Sequence, residues 1–91
     1  MSVISITRKH DKSIKQAKTA VNKVARAIAT KFAVEHQWEE HTLHFTRSGV
    51  DGHIALSKGQ VKVHVQLGFL LALLKQPISD EILRVLDQEF G

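Results

Sequence analysis

Three observations predict a two-layer α+β fold, an antiparallel sheet of about five strands with a long N-terminal helix and a short C-terminal helix packed on one face. Apolar residues recur at three- and four-residue steps through the first third of the chain, at every second residue through its middle, and at helical spacing again near its end. A helix with one apolar stripe and a sheet with one apolar face satisfy each other's burial by stacking as two layers. The order read is β-α-β-β-β-β-α. A chain of 91 residues buries only roughly 60 to 70% of its unfolded surface, so residues 1–91 are expected to share one core and form a single domain.

Each element has its own signature. Val3-Ile4-Ser5-Ile6-Thr7 is a β-branched run with Ile4 and Ile6 on one face, which predicts the first strand. From Asp11 to about Ala33, the residues Ile14, Ala17, Val21, Val24, Ala25, Ile28 and Phe32 form one buried helical stripe. Either Asp11 caps that helix, or Ser13 does with Gln16 answering three residues later. Val34, His36 and Trp38, then Leu43 and Phe45, alternate with polar residues on either side of a turn at Glu40-His41, the pattern of a hairpin. Ser48 to Gly52 reads as a turn holding two glycines, and Lys58-Gly59 as a tight turn between strands built on Ile54 and Leu56 and on Val61, Val63, Val65 and Leu67. Gly68 to Leu74 is almost wholly apolar. Beyond Pro77, Ser79 is positioned to cap a terminal helix whose first turn holds Asp80 and Glu81 and whose stripe is Ile82, Val85, Leu86 and Phe90.

Composition removes several classes of function. Without cysteine there are no disulfides and no thiolate chemistry, which suits a reducing compartment. The opening MSVISITRKH has no apolar run of signal-peptide length and no later stretch reaches the roughly 20 residues that span a bilayer, so a cytoplasmic protein without a transmembrane segment is expected. The formal charge of +4 is concentrated in the first third, where Asp11 is the only acid. The remainder is mildly acidic. No nucleophile elbow, phosphate loop, paired-carboxylate site or dinucleotide fingerprint occurs.

Three groups of residues remain as candidates for a function. His44, His53 and His64 fall on the polar sheet face: the Lys58-Gly59 turn sets His53 opposite His64, and the preceding hairpin sets His44 diagonal to His53. No carboxylate is forced beside them except Glu35 near His44, so they predict a polar surface rather than a catalytic or metal site, and no cofactor is implied. His36, on the core side with Trp38, reads as a hydrogen-bonded core-edge histidine. Lys12, Lys15, Lys23 and Arg26 avoid the helix stripe and make a basic surface open to polyanions. The interleaved aromatics that stack bases are missing, which argues against nucleic acid.

The apolar connector is the third candidate. Buried, it closes the end of the core. Exposed, Phe69, Leu70, Leu73 and Leu74 at i, i+1, i+4 and i+5 make a face able to lie on a lipid or polyester surface with Lys75 at its edge.

The run HFTRSGVDGHIALS followed by VKVHVQLGFLLALLKQPISDEI, together with the opening SITRKH, an Ala- and Lys-rich helix and VEHQWEE, resembles the polyhydroxyalkanoic acid system family over residues 3 to 90. The resemblance implies association with storage-polyester synthesis, use or granule surfaces in bacteria. It carries no catalytic residues to positions here. The expected function is therefore a non-catalytic accessory or binding protein of polyhydroxyalkanoate metabolism, with a granule surface or a granule-associated protein as partner. Two other readings stand beside it: a small apolar-ligand carrier with a cavity lined by Trp38, Phe45, Val63 and Phe69, and a nucleic-acid module using the basic helix. A homo-oligomer covering the polar sheet face is left open by the pattern.

Overall fold

The computed structural model describes residues 2–90, which form five strands, two α-helices and a 3-10 segment. β1 (Ser2–Lys9) leads to α1 (Ile14–Phe32), followed by β2 (Glu35–Glu39), β3 (Thr42–Arg47), β4 (Val50–Ser57) and β5 (Gln60–Leu67). The 3-10 segment Phe69–Leu74 then runs directly into α2 (Lys75–Phe90). The sheet is antiparallel throughout with order β1-β5-β4-β3-β2, so β1 returns beside β5 and the meander closes on the first strand. The α+β class and the element order are those expected from the periodicities.

Ser13 caps α1: its hydroxyl accepts from the Gln16 N–H, and the Gln16 side chain accepts from the Ser13 N–H. This reciprocal box satisfies two of the free amides of the first turn, and it settles the cap in favour of Ser13 over Asp11. The helix ends at Ala33 in the left-handed region (φ 56°), whose N–H still reaches the Ala29 carbonyl. Its buried stripe of Ala17, Ala20, Val21, Val24, Ala25 and Ile28 meets the inner sheet face, where Ile4, Leu43, Phe45, Ile54, Val63 and Val65 are buried. Ile78, Ile82, Val85 and Leu86 of α2 complete the same core.

Two boundaries differ from the sequence reading. The turn expected over Ser48 to Gly52 is only Ser48-Gly49, because Arg47 already pairs with Val50 and the strand resumes there. Gly49 takes positive φ, whereas Gly52 lies inside β4 for a packing reason: a Cβ there would stand 2.6 Å from the Phe45 ring. The second difference is the start of α2, at Lys75 rather than after Pro77 with a Ser79 cap. Pro77 falls in the first turn, where its absent N–H would have had no intrahelical partner. Proline is thus compatible with the start of this helix.

Glu81, expected in a solvated first turn, is instead buried in the helix interior. Arg84 donates from Nε and Nη2 to its two carboxylate oxygens, each at 2.9 Å, and Lys31 of α1 donates from Nζ at 3.2 Å. The Arg84 hydrogen bonds, joined by Lys31, hold the carboxyl down at about 2 against the opposing effect of burial. The charged triad ties the last turn of α1 to α2.

Candidate docking surface

A 3-10 helix has three residues per turn, so residues three apart lie above one another. That period sorts Phe69-Leu70-Leu71-Ala72-Leu73-Leu74 into rows. Leu71 and Leu74 turn inward and pack on the core, and Leu71 lies over Gly49, where an added Cβ would meet its side chain at 2.8 Å. Leu70 and Leu73 turn outward and are 86% and 91% exposed, with Phe69 beside them at 84%. Of the four residues expected to share one face, Leu74 is therefore excluded, since the α-helical period that placed it there is not the period adopted.

The segment is tied at its start to the Ser48-Gly49 turn and continues at its end into α2. The Gly68 N–H donates to the Gly49 carbonyl at 2.8 Å, and the Leu71 N–H donates to the Gly68 carbonyl at 3.0 Å, so the outward row stands on a pinned base. The patch occupies one end of the molecule, together with the C-terminus of α1: Arg47, one residue before the Ser48-Gly49 turn, donates from Nη1 to the Phe32 carbonyl at 2.7 Å.

The basic residues do not gather around this patch. α1 begins beside His10, whose Nδ1 accepts from the Lys12 N–H and whose own N–H donates to Gly59, at the other end of the sheet. Lys15 is thus roughly 25 Å from Phe32 along the helix axis at 1.5 Å per residue. Lys23 is occupied by Glu89 at 3.2 Å. Arg26 is exposed on the same helix, and Lys12 is half-buried.

The histidines form a straight row, not a triangle. His44 faces His53 and His53 faces His64 across three neighbouring strands, which corrects the diagonal placement of His44: Phe45 pairs with Gly52 and Leu43 with Ile54, a register two residues away from the one that sets His44 diagonal to His53. Ring centroids are 6.2 Å apart for the first pair and 5.5 Å for the second. Among the described residues no group of three ligating side chains is arranged to hold a metal. His36, on the outermost strand β2, is exposed rather than a hydrogen-bonded core-edge residue. Trp38 next to it is held by the Asn22 carboxamide, which accepts from Nε1 at 2.7 Å.

Trp38, Phe45, Val63 and Phe69 do not line a common cavity. Phe45 and Val63 are buried in the core while Phe69 points to solvent. A surface depression of about 630 Å³ lies along β2 between residues such as Ala29, His36 and His44. No helix among the described residues is long and apolar enough to cross a membrane.

The architecture and the exposed segment can now be set beside known proteins. The model of the polyhydroxyalkanoic acid system protein family matches residues 4–90, nearly the whole chain. The chain belongs to this family. No curated protein matches it. Family membership ties the chain to the polyhydroxyalkanoate system, and the match runs from Ile4 within β1 through every later element, the Phe69–Leu74 segment included.

Proposed function

We propose that this chain is a non-catalytic accessory protein of polyhydroxyalkanoate metabolism that docks on the polyester granule through Phe69, Leu70 and Leu73. One observation carries the reading: three large apolar side chains stand in water on a segment pinned to the fold. Covering a large apolar side chain is worth roughly 1.5–3 kcal/mol, so an uncovered trio is a standing driving force for contact with an apolar phase. Three such side chains offer roughly 450 Å², about half of the ~800 Å² each partner contributes to a standard protein interface. A polymer or lipid boundary asks for no matching shape, and a small protruding wedge suffices. Lys75, exposed at the edge of the patch, is placed to keep its ammonium in the polar boundary while its stem follows the apolar side chains down.

The non-catalytic part of the reading rests on how the histidines are placed. The histidine row is open to solvent on a sheet face, with no carboxylate hydrogen-bonded to any of its rings among the described residues.

Granule pelleting tests the docking surface. Polyhydroxyalkanoate granules are expected to retain the natural chain and to lose the Leu70→Lys, Leu73→Lys double variant by tenfold or more, while the circular dichroism spectrum and thermal midpoint stay as they were. Equal retention of a folded double variant would overturn the assignment.

A further inference from the structure

The two edges of the sheet are not alike, and the difference points to a partner for one of them. In an antiparallel strand, successive residues turn their N–H and C=O groups to opposite neighbours. The His10 N–H donating to the Gly59 carbonyl at 3.0 Å continues the β1–β5 ladder and sets its phase: the even-numbered residues Ile4, Ile6 and Arg8 pair with β5. Val3, Ser5, Thr7 and Lys9 therefore point their backbone groups at the open edge. The same count through β4 and β3, anchored by Leu56 N–H donating to the His41 carbonyl, leaves only His36 and Trp38 turned outward within β2.

β2 is protected as edge strands commonly are. It is five residues long, carries Glu35 and Glu39, and is overhung by α1, with Lys18 4.7 Å above the Trp38 ring and bonded to the Glu40 carbonyl. Short length, charge and cover all discourage strand addition. β1 has none of these over most of its length. It is eight residues long, Ser2 to Thr7 carry no charge, Val3 is 40% exposed, and Arg8 reaches Asp87 of α2 from the face that carries the buried Ile4.

We infer that β1 is the seam of a homodimer, pairing antiparallel with β1 of a second copy about a two-fold axis at Ser5. This register is self-complementary, as an isologous contact must be. Ser5 meets Ser5 of the second copy, Val3 meets Thr7, and Arg8 meets Ser2, so no like charges stand opposite and two β-branched side chains face each other on each side of the axis. About six backbone hydrogen bonds form and the two sheets become one of ten strands. A strand of different sequence would gain the same backbone bonds but lacks the symmetry that matches side chains for a second copy. The inference is independent of the granule reading, since the Phe69–Leu74 patch takes no part in the seam.

Sedimentation and amide exchange test it. The natural chain is expected to sediment as a dimer, with the Val3, Ser5 and Thr7 amides exchanging as slowly as those of Ile4 and Ile6. Ser5→Pro removes an outward N–H and none of the β1–β5 bonds, so it is expected to yield a folded monomer. Leu70→Lys with Leu73→Lys is expected to remain a dimer. A natural chain that stays monomeric at millimolar concentration, or fast exchange at Val3, Ser5 and Thr7 in a dimer, would overturn the seam. So would a folded Ser5→Pro dimer. The exchange measurement uses the natural sequence and decides the matter even if the proline variant fails to fold.

Discussion

Within the thirteen residues from Phe69 to Glu81, two regions reverse the usual placement of side chains. At Phe69, Leu70 and Leu73 large apolar groups stand in water, and at Glu81 a carboxylate lies inside with 6% of its surface exposed. Local geometry accounts for both. The 3-10 period hands Leu71 and Leu74 to the core and leaves the intervening residues outside, whereas the α-helical period of α2 turns Glu81 toward α1 alongside Ile78, Ile82 and Val85. The difference lies in compensation. The carboxylate has two cations to satisfy it, while the outer leucines are left uncovered by the described residues.

The contrast breaks most visibly if side chains are truncated on both sides of it. Ile82 is fully buried, so Ile82→Ala is expected to cost about 2–5 kcal/mol by lost transfer energy and cavity formation, measured by urea unfolding. Leu73→Ala is expected to change stability by less than about 0.5 kcal/mol. Leu71→Ala should fall between them, because its side chain is half-buried against Gly49. A large cost at Leu73 would mean that the outward row is packed in solution and that the docking surface does not exist in the free protein.

The charged region sharpens the same comparison at smaller cost. Glu81→Gln keeps the shape of the side chain and removes the charge that Arg84 and Lys31 share. Both cations are more than half exposed and can return to water, so a loss of about 1–2 kcal/mol at neutral pH is expected. The folded carboxyl titrates near 2 instead of its ordinary 4.5, so its contribution is complete above pH 4.5 and fades as the pH falls from there toward 2. The stability gap between the natural chain and Glu81→Gln is therefore expected to close across that window in acid unfolding titrations. A gap that stays constant would show that packing, rather than charge, holds Glu81 in place.

How much of this was legible beforehand follows from the range of each interaction. The strands and α1 were readable because their burial is set by alternation or by a stripe, both local to the segment. The Lys58-Gly59 turn even placed His53 opposite His64 correctly. The expected register of His44 is off by two residues, since it depends on Gly52 making room for Phe45 across the strand, a contact between positions that no local pattern links. Leu74 was misassigned because a short apolar run carries no sign of whether it will wind with three residues per turn or 3.6. The cations around Glu81 come from 50 positions upstream and three downstream, so its burial could not be read from the sequence of α2 alone.

Ala33 gives the smallest effect and the cleanest one. It stands at the C-terminus of α1 with φ 56°, where a side chain crowds the following carbonyl and glycine is at ease. The Ala33 N–H to Ala29 carbonyl bond at 3.0 Å belongs to the backbone, so Ala33→Gly keeps it and removes only the crowded Cβ. Against the relief, glycine adds freedom to the unfolded chain, which opposes it by about 0.4–1 kcal/mol. The relief of left-handed strain, roughly 1–2 kcal/mol, is the larger, and a net gain of about 0.5 kcal/mol is expected as a higher urea midpoint at unchanged slope. Because Ala33 belongs to the end of the molecule that carries Phe69, Leu70 and Leu73, a stabilised α1 terminus with undiminished granule retention would also separate the firmness of that end from its capacity to dock. The outer row would then act as a fixed wedge rather than as a segment that must loosen to bind.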